Sequence, residues 1–455
     1  MRRLVIVCDA SHASRVREGL LRLGHPAAAA ELVSVYEIDT GAEIDWAAAR
    51  RKFVSFVDSL SDSRFSLSQR PLVCATREAD AVLWTAGMGR SFGFDYVKTS
   101  AKALTTWGKS GAELKELLNR CDLGLITGSA QLLSQWSHHQ LGVQSIERWL
   151  DQFGVFGKFR WVGEEILRSL RLVGGVELGE IFARLAEKQP AAALCVNRDN
   201  RSHGKSGEVI SNLITKRLNS TVYESPARAI DIENASQIVL FEDGLWSGTE
   251  AVGILDTLLG LRAKGSEKTA LLKDPLKMRS VNVTLAYAVA SDYGQAIVRR
   301  YLHEAGLQAN VQLAVGEVIQ VASAELLEDI EQGRLTLATL RDEGPPLAQV
   351  KPYLRTSLDA SGAVDATQMP HGLSMCMDIG QQLFDNYLVR MRREKSWGPW
   401  PDAKRTKCAL GMHGLGVTHV FSHSVPKAAV PLLWSSGPVN WKDRTIQWQP
   451  LFVNA

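Results

Sequence analysis

Ser236–Leu258 reads SQIVLFEDGLWSGTEAVGILDTL. Four apolar residues, Ile238–Phe241, form a run too short for a helix and rich in β-formers, so it reads as a buried strand. Two adjacent acids, Glu242 and Asp243, end the strand. Gly244, Leu245, Trp246, Ser247, Gly248 and Thr249 form a loop, and an amphipathic helix follows. Strand, loop and helix in that order are one βα unit of a parallel sheet.

The flanking sequence repeats the pattern. AALCV (192–196), TVYES (221–225), VNVTLAYAVA (281–290) and VQLAVGEVI (311–319) read as strands. GEVISNLITKRL (207–218), TEAVGILDTLLGLR (249–262) and YGQAIVRRYLHEAG (293–306) read as helices. Such alternation predicts a mostly parallel α/β sheet with helices on both faces. Before it, Leu132, Leu133, Trp136, Ile146, Trp149, Leu150, Phe153, Trp161, Ile166, Leu167 and Leu170 recur at three- and four-residue spacing, the period of amphipathic helices. LVIVC (4–8), PLVCA (71–75) and AVLWTA (81–86), with a helical stretch around Val16–Leu23, predict an N-terminal α/β unit. Glu343–Pro346 (EGPP) marks a loop or boundary. The organisation expected is an N-terminal α/β unit at 1–125, a helical segment at 126–190, an α/β core at 191–320 and a mixed, Trp-rich region at 321–455.

In an open parallel sheet, ligands sit beyond the carboxyl ends of the strands. Acids there can accept hydrogen bonds from the vicinal hydroxyls of a ribose. The following loop can point N–H groups and the Ser247 and Thr249 hydroxyls at a phosphate, with the helix N-terminus adding favourable polarity. The plainer alternative is an ordinary βα turn whose acids and hydroxyls cap the helix.

The segment Ile238–Ala251 resembles the phosphoribosyl-diphosphate (PRPP) signature of type I phosphoribosyltransferases: four apolar residues, two acids, a loop ending in Ser/Thr–Gly–Thr, then a helix. The order of strands and helices over 191–315 is similar to that family's core. The resemblance implies that Glu242 and Asp243 hold the ribose hydroxyls and stabilise a cation-like ribose. It implies that residues 244–249 anchor the 5-phosphate. It also implies a Mg²⁺ ion to neutralise the diphosphate; no residue is assigned as its ligand. A second loop, NRDNRSHGKSGE (197–208), resembles the family's pyrophosphate loop, with Arg198, Arg201, Gly204, Lys205 and Ser206 placed for the leaving group. Gly204–Lys205–Ser206 also matches the end of a Walker A loop, but Asp199 stands where that motif needs its first glycine. A solvated basic loop is the plain reading. Trp246 is large for a phosphate loop, so it either covers the ligand or alters the pocket.

WLDQF (149–153), MDIGQQL (377–383), HVFSHSVPKAAVPLLWSS (419–436) and WQPLF (448–452) together resemble phosphoribosyltransferase-like proteins of bacterial conflict and antiphage loci, including retron-associated effectors. That resemblance implies a toxic effector acting on PRPP or a nucleotide, held off by a regulatory protein or a nucleic acid, with the tail contributing to a base-reading hood. The alternative is a non-catalytic ribose-phosphate sensor or partner-binding scaffold.

Other features bound the reading. With 52 Lys plus Arg against 49 Asp plus Glu, the +3 formal charge excludes a generally polycationic nucleic-acid coat. No apolar run approaches the roughly 20 residues of a membrane span. Asp9, Ser11 and His12 end the first apolar run too early for a secretory signal. Six scattered cysteines without CxxC spacing fit a reducing cytoplasm. Oligomerisation is left open. Gly89–Gly93 (GRSFG) is a literal GxSxG with Ser91 at its centre, but no spacing selects its triad partners. His413, His419 and His423 cluster near Cys408; a 419/423 pair could bind a metal, while surface, cap or interface roles are the plain reading. His138 and His139 face apart on a helix. Trp397, Trp400, Trp434, Trp441 and Trp448 lie near Arg390, Arg392, Arg393, Lys395, Lys404, Arg405 and Lys407. Cations beside aromatics bind single-stranded nucleic acid, form protein interfaces, or cover a tryptophan core.

Overall fold

A computed structural model describes residues 4–9, 13–14, 33–38, 52, 72–76, 95–99, 126, 129–130, 132–156, 159–197, 206–261, 270–354, 369–395, 398–441 and 443–453. The chain divides into two units, Met1–Gln135 with Gln140–Arg171, and Trp136–His139 with Leu172–Ala455.

The first unit contains a parallel sheet of β1 (Leu4–Asp9), β2 (Val33–Ile38), β3 (Leu72–Thr76) and β4 (Asp95–Thr99), in the order β2-β1-β3-β4. Val5, Ile6, Val7 and Cys8 are all fully buried. A continuous apolar run, rather than an alternating one, is what a strand covered on both faces requires. Helices α1 (Val143–Val155) and α2 (Arg160–Ser169) belong to the same unit. On α1 the buried residues Ile146, Trp149, Leu150 and Phe153 form one stripe. Gly163 of α2 closes against it, since a Cβ there would lie 2.8 Å from Leu150 and Phe153. The expected strand 81–86, the helix around 16–23 and the GxSxG at 89–93 lie outside the described residues.

A short strand β5 (Arg171–Val173) leads into the second unit. There follow α3 (Gly175–Glu187), β6 (Ala193–Val196), α4 (Ser206–Leu218), β7 (Val222–Tyr223), α5 (Pro226–Asp231), β8 (Gln237–Leu245), α6 (Thr249–Leu258), β9 (Asn282–Ser291), α7 (Asp292–Glu304) and β10 (Val311–Ile319). The five strands β6–β10 form one sheet in the order β10-β9-β8-β6-β7, with every neighbouring pair parallel. This is the α/β architecture expected from the alternation. Of TVYES only Val222 and Tyr223 pair as a strand. The central strand β8 runs two residues past the second acid, to Leu245.

Alternation along β8 divides the core. Val239 and Phe241 pack with Leu178, Ile181 and Phe182 of α3, where the Phe182 and Phe241 rings meet edge-to-face at 5.2 Å. Ile238 and Leu240 pack on the other side with Ile230 of α5 and Leu255 and Leu258 of α6. Each such side chain contributes roughly 2 kcal/mol of burial. After β6 the chain moves outward to β7 and then returns across β6 to β8. The carboxyl ends of β6 and β8 therefore flank the point where strand order reverses, the place where open α/β sheets bind ligands.

The C-terminal region carries α8 (Ala324–Glu331), α9 (Leu337–Glu343), a long helix α10 (Met369–Lys395), α11 (Asp402–Arg405), β11 (His419–Phe421), α12 (Pro431–Trp434) and an antiparallel hairpin of β12 (Gly437–Trp441) and β13 (Arg444–Trp448). Helix α9 ends at Glu343, where EGPP predicts a break. Trp434 and Trp448 are buried, with Trp434 edge-on to Tyr387, while Trp400 and Trp441 are half-buried. Trp397 lies outside the described residues. Among the described residues no helix is long and apolar enough to cross a membrane. Cys8, Cys195, Cys376 and Cys408 are buried thiols outside any disulfide.

Candidate functional site

Glu242 and Asp243 occupy successive positions near the end of β8, so the pleat sends their side chains to opposite sides of the strand. Both nevertheless line one cavity of about 830 Å³ near the end of the strand. The same cavity is lined by all of Gly244, Leu245, Trp246, Ser247, Gly248 and Thr249. The structure thus brings both acids and the whole expected phosphate loop together.

The two carboxylates have different surroundings. Asp243 accepts hydrogen bonds from Gly244 N–H at Oδ1 (2.8 Å) and from His423 Nε2 (3.0 Å) and Ser424 Oγ (3.2 Å) at Oδ2. Glu242 lies on the side of Tyr287, its register partner on β9. Burial, reinforced by the carboxylates of Glu242, Glu250 and Asp243, raises the Tyr287 phenol well above its ordinary range. Tyr287 is therefore a neutral O–H at physiological pH, in a wall otherwise rich in negative charge.

The turn after β8 is built for a close approach. Gly248, the N-cap of α6, has φ +75°, a left-handed conformation that glycine adopts without cost. Ser247 Oγ lies 3.2 Å from Thr249 Oγ1, so two hydroxyls meet at the helix N-terminus. The Trp246 carbonyl turns away from the cavity to accept from Ser291 Oγ (2.5 Å), which in turn accepts from Gly294 N–H (2.8 Å). The expectation that the loop begins at Gly244 needs correction. Gly244 lies within β8, and a Cβ on it would come within 2.5 Å of the Trp246 indole nitrogen. The indole folds back over Gly244 and tilts against His419 and Phe421, each 6.3 Å away between ring centroids. Trp246 is thus a wall between the loop and the C-terminal region.

The second expected loop is only partly in view. Arg198, Arg201, Gly204 and Lys205 lie outside the described residues. Its two ends, Asn197 after β6 and Ser206 at the start of α4, both line the cavity, and Val196 pairs with Phe241 immediately before the acids.

The opposite wall comes from residues that sequence reasoning did not assign to the site: Met412, Phe421 and Ser424–Ala428. Lys427 is the one cation among the described lining residues, and its Nζ lies over the rings of Trp434 (4.1 Å) and Tyr387 (5.4 Å). The histidine cluster is also resolved. His413, His419 and His423 are buried, not on the surface. His419 and His423 point to different acids, Glu317 (3.3 Å) and Asp243 (3.0 Å), so they do not form a metal-binding pair. No group of three or more His, Cys, Asp or Glu among the described residues is arranged to hold a metal.

Besides Asp243, the carboxylates that line the cavity are Glu242 and Glu250. Two carboxylates suit a Mg²⁺ ion that keeps most of its shell from water and substrate phosphates, and do not make a dedicated protein cage. No curated protein compared with this chain matches it. A parallel sheet, an acid pair at its reversal point and a hydroxyl-bearing turn are the features of a phosphoribosyltransferase core. In agreement with them, the profile of the family PRTase-CE matches residues 146–454, well over half of the chain, and the chain belongs to this phosphoribosyltransferase-type family.

Proposed function

We propose that this cleft binds a ribose 5-phosphate group, carried by PRPP or a nucleotide, and acts at ribose C1 by glycosyl transfer or N-glycosidic cleavage. One observation carries the reading: both acids and the Trp246–Thr249 turn line a single cavity at the reversal point of the sheet. Backbone N–H groups at the start of α6, with Ser247 and Thr249, hold the phosphate. Glu242 accepts from the ribose hydroxyls and stabilises positive charge developing on the ring. Asn197 and Ser206 line the cavity, and Arg198, Arg201, Gly204 and Lys205 are the residues proposed to bind the leaving group. Glu242, Asp243 and Glu250 outnumber Lys427 among the described lining residues, so a diphosphate needs an added cation there. Mg²⁺, held by Glu242 and Glu250, would supply that neutralisation.

The biological reading is a toxic effector of bacterial antiphage defence, kept inactive by a regulatory protein or nucleic acid. Its support is the resemblance of the four fragments between Trp149 and Phe452. A second reading is favoured by the three hydrogen bonds already made by Asp243: a ribose-phosphate sensor that binds without turnover. Purified protein incubated with PRPP, NAD and nucleotides plus Mg²⁺, and followed for a broken glycosidic bond, separates them. Turnover abolished by Glu242→Gln supports the enzyme; saturable binding without product supports the sensor. Neither binding nor turnover refutes both.

A further inference from the structure

Asp243 is held by a turn 180 residues away in sequence, and that turn is itself held from a third place. Phe421 N–H donates to Ser424 O (2.9 Å) and Ser424 N–H donates to Phe421 O (3.2 Å), closing residues 421–424 into a tight reversal. Ser422 N–H donates to Val173 O (3.0 Å). Ser137 donates to Ser422 O from both its N–H (2.8 Å) and its hydroxyl (2.9 Å). His138 Nε2 lies 2.8 Å from the carbonyl of His423. The His423 ring stacks on Phe421, with centroids 5.9 Å apart and planes 27° from parallel. A turn so restrained fixes where the His423 and Ser424 side chains point.

A carboxylate only accepts, so His423 Nε2 and Ser424 Oγ are the donors at Oδ2. The other ring nitrogen of His423, Nδ1, is buried without a hydrogen-bond partner. A carboxylate has about four acceptor directions. Both at Oδ2 are taken by His423 and Ser424, and one at Oδ1 by Gly244 N–H. One direction, at Oδ1, remains for a ligand.

We propose that His423 and Ser424 are positioning residues of this site. Resting on the ribose-binding reading above, the inference is that they clamp Asp243 so that it presents a single Oδ1 lone pair to the sugar. The tail of the chain thereby sets how Asp243 meets its ligand. The Ser137–His138 segment braces the clamp from behind.

The probe is ribose 5-phosphate, titrated calorimetrically into the full-length protein with Mg²⁺. His423→Ala is expected to weaken binding about tenfold, the scale of one hydrogen bond to a charged group. His423→Gln, whose side-chain amide can donate from nearly the same place, restores most of it. In an Asp243→Asn background, His423→Ala has no further effect, whereas a merely structural role would add its cost again. Ser424→Ala, at a half-buried position, gives a smaller loss and covers the case in which His423→Ala does not fold. A ligand-free readout accompanies these: the imidazole Nε2 proton of His423 in a ¹⁵N-resolved NMR spectrum, which shifts on Asp243→Asn. Equal or tighter binding by His423→Ala overturns the positioning role. Additive losses in the double variant overturn it too. Failure of the wild-type protein to bind, with the Nε2 proton in place, overturns the ribose-binding reading and with it the purpose given to the clamp.

Discussion

Gly248→Ala tests the turn on which phosphate anchoring depends. At φ +75° an alanine sits in the left-handed region, at a cost of about 1–2 kcal/mol. Its Cβ would lie 2.7 and 2.8 Å from Cγ2 and Cβ of Ile297 and 3.0 Å from the carbonyl oxygen of Gly294. Ile297 is a buried, branched side chain on α7, so it cannot swing aside freely. Overpacking of that kind costs a further 1–3 kcal/mol, roughly. The sum is about 2–5 kcal/mol, concentrated where Gly248 O accepts the N–H of Val252 to begin α6. Gly179 is the control. It lies inside α3, and a Cβ there meets nothing within 4 Å, so Gly179→Ala should gain about 0.5–1 kcal/mol. Melting measured by near-UV and far-UV circular dichroism should fall for the first and rise by a few degrees for the second. Ribose 5-phosphate binding should be lost in Gly248→Ala and kept in Gly179→Ala. A Gly248→Ala protein with wild-type melting and wild-type affinity would refute the geometry of the turn.

Three further outcomes follow from other contacts. Lys427→Met keeps the packing on Trp434 but removes the charge, so PRPP binding should weaken about tenfold while ribose 5-phosphate binding changes less; equal losses for both ligands in calorimetry would contradict a diphosphate role. Gly244→Ala should displace the Trp246 indole, seen as a red shift and loss of intensity in tryptophan fluorescence, because its Cβ would overlap the ring; an unchanged spectrum would contradict the wall. Burial, aided by Lys404 and Lys407, lowers His413 to about 3, from an ordinary 6.5. The folded state then stays unprotonated while the unfolded chain takes up a proton below pH 6.5. Stability should therefore fall as pH drops through the window from 6.5 to about 3, and level off below it. Between pH 6.5 and 5 the loss is about 2 kcal/mol, and His413→Asn should remove it; identical acid sensitivity in that variant would place the proton uptake elsewhere.

The core was legible because burial and period coincide in it. Ile238–Phe241 is apolar on both faces, and the helices after each strand carry single stripes, so the five strands β6–β10 could be placed from sequence. The end of β8 was less legible: Gly244 suggested a turn, but the ladder to β9 continues through Gly244 and Leu245. Inside the site, the acids and hydroxyls were visible because they are consecutive. The opposite wall was not, because Ser424–Ala428 is irregular chain whose partners lie some 180 positions away, and spacing carries no record of such contacts. His423 was visible only as one of three clustered histidines. The available signal was its position directly before Ser424 in a tail otherwise rich in buried apolar residues, which marks a polar pair that burial obliges to find an acceptor.

The central claim is that one cavity takes the sugar phosphate from both ends. A crystal structure of the protein soaked with ribose 5-phosphate and Mg²⁺ addresses it directly. Phosphate oxygens are expected within hydrogen-bond distance of the backbone N–H groups between Trp246 and Thr249, with ribose hydroxyls on Glu242 and one contact to Asp243 Oδ1. Density for the ligand at another place, with the cavity beside β8 holding only solvent, would contradict it.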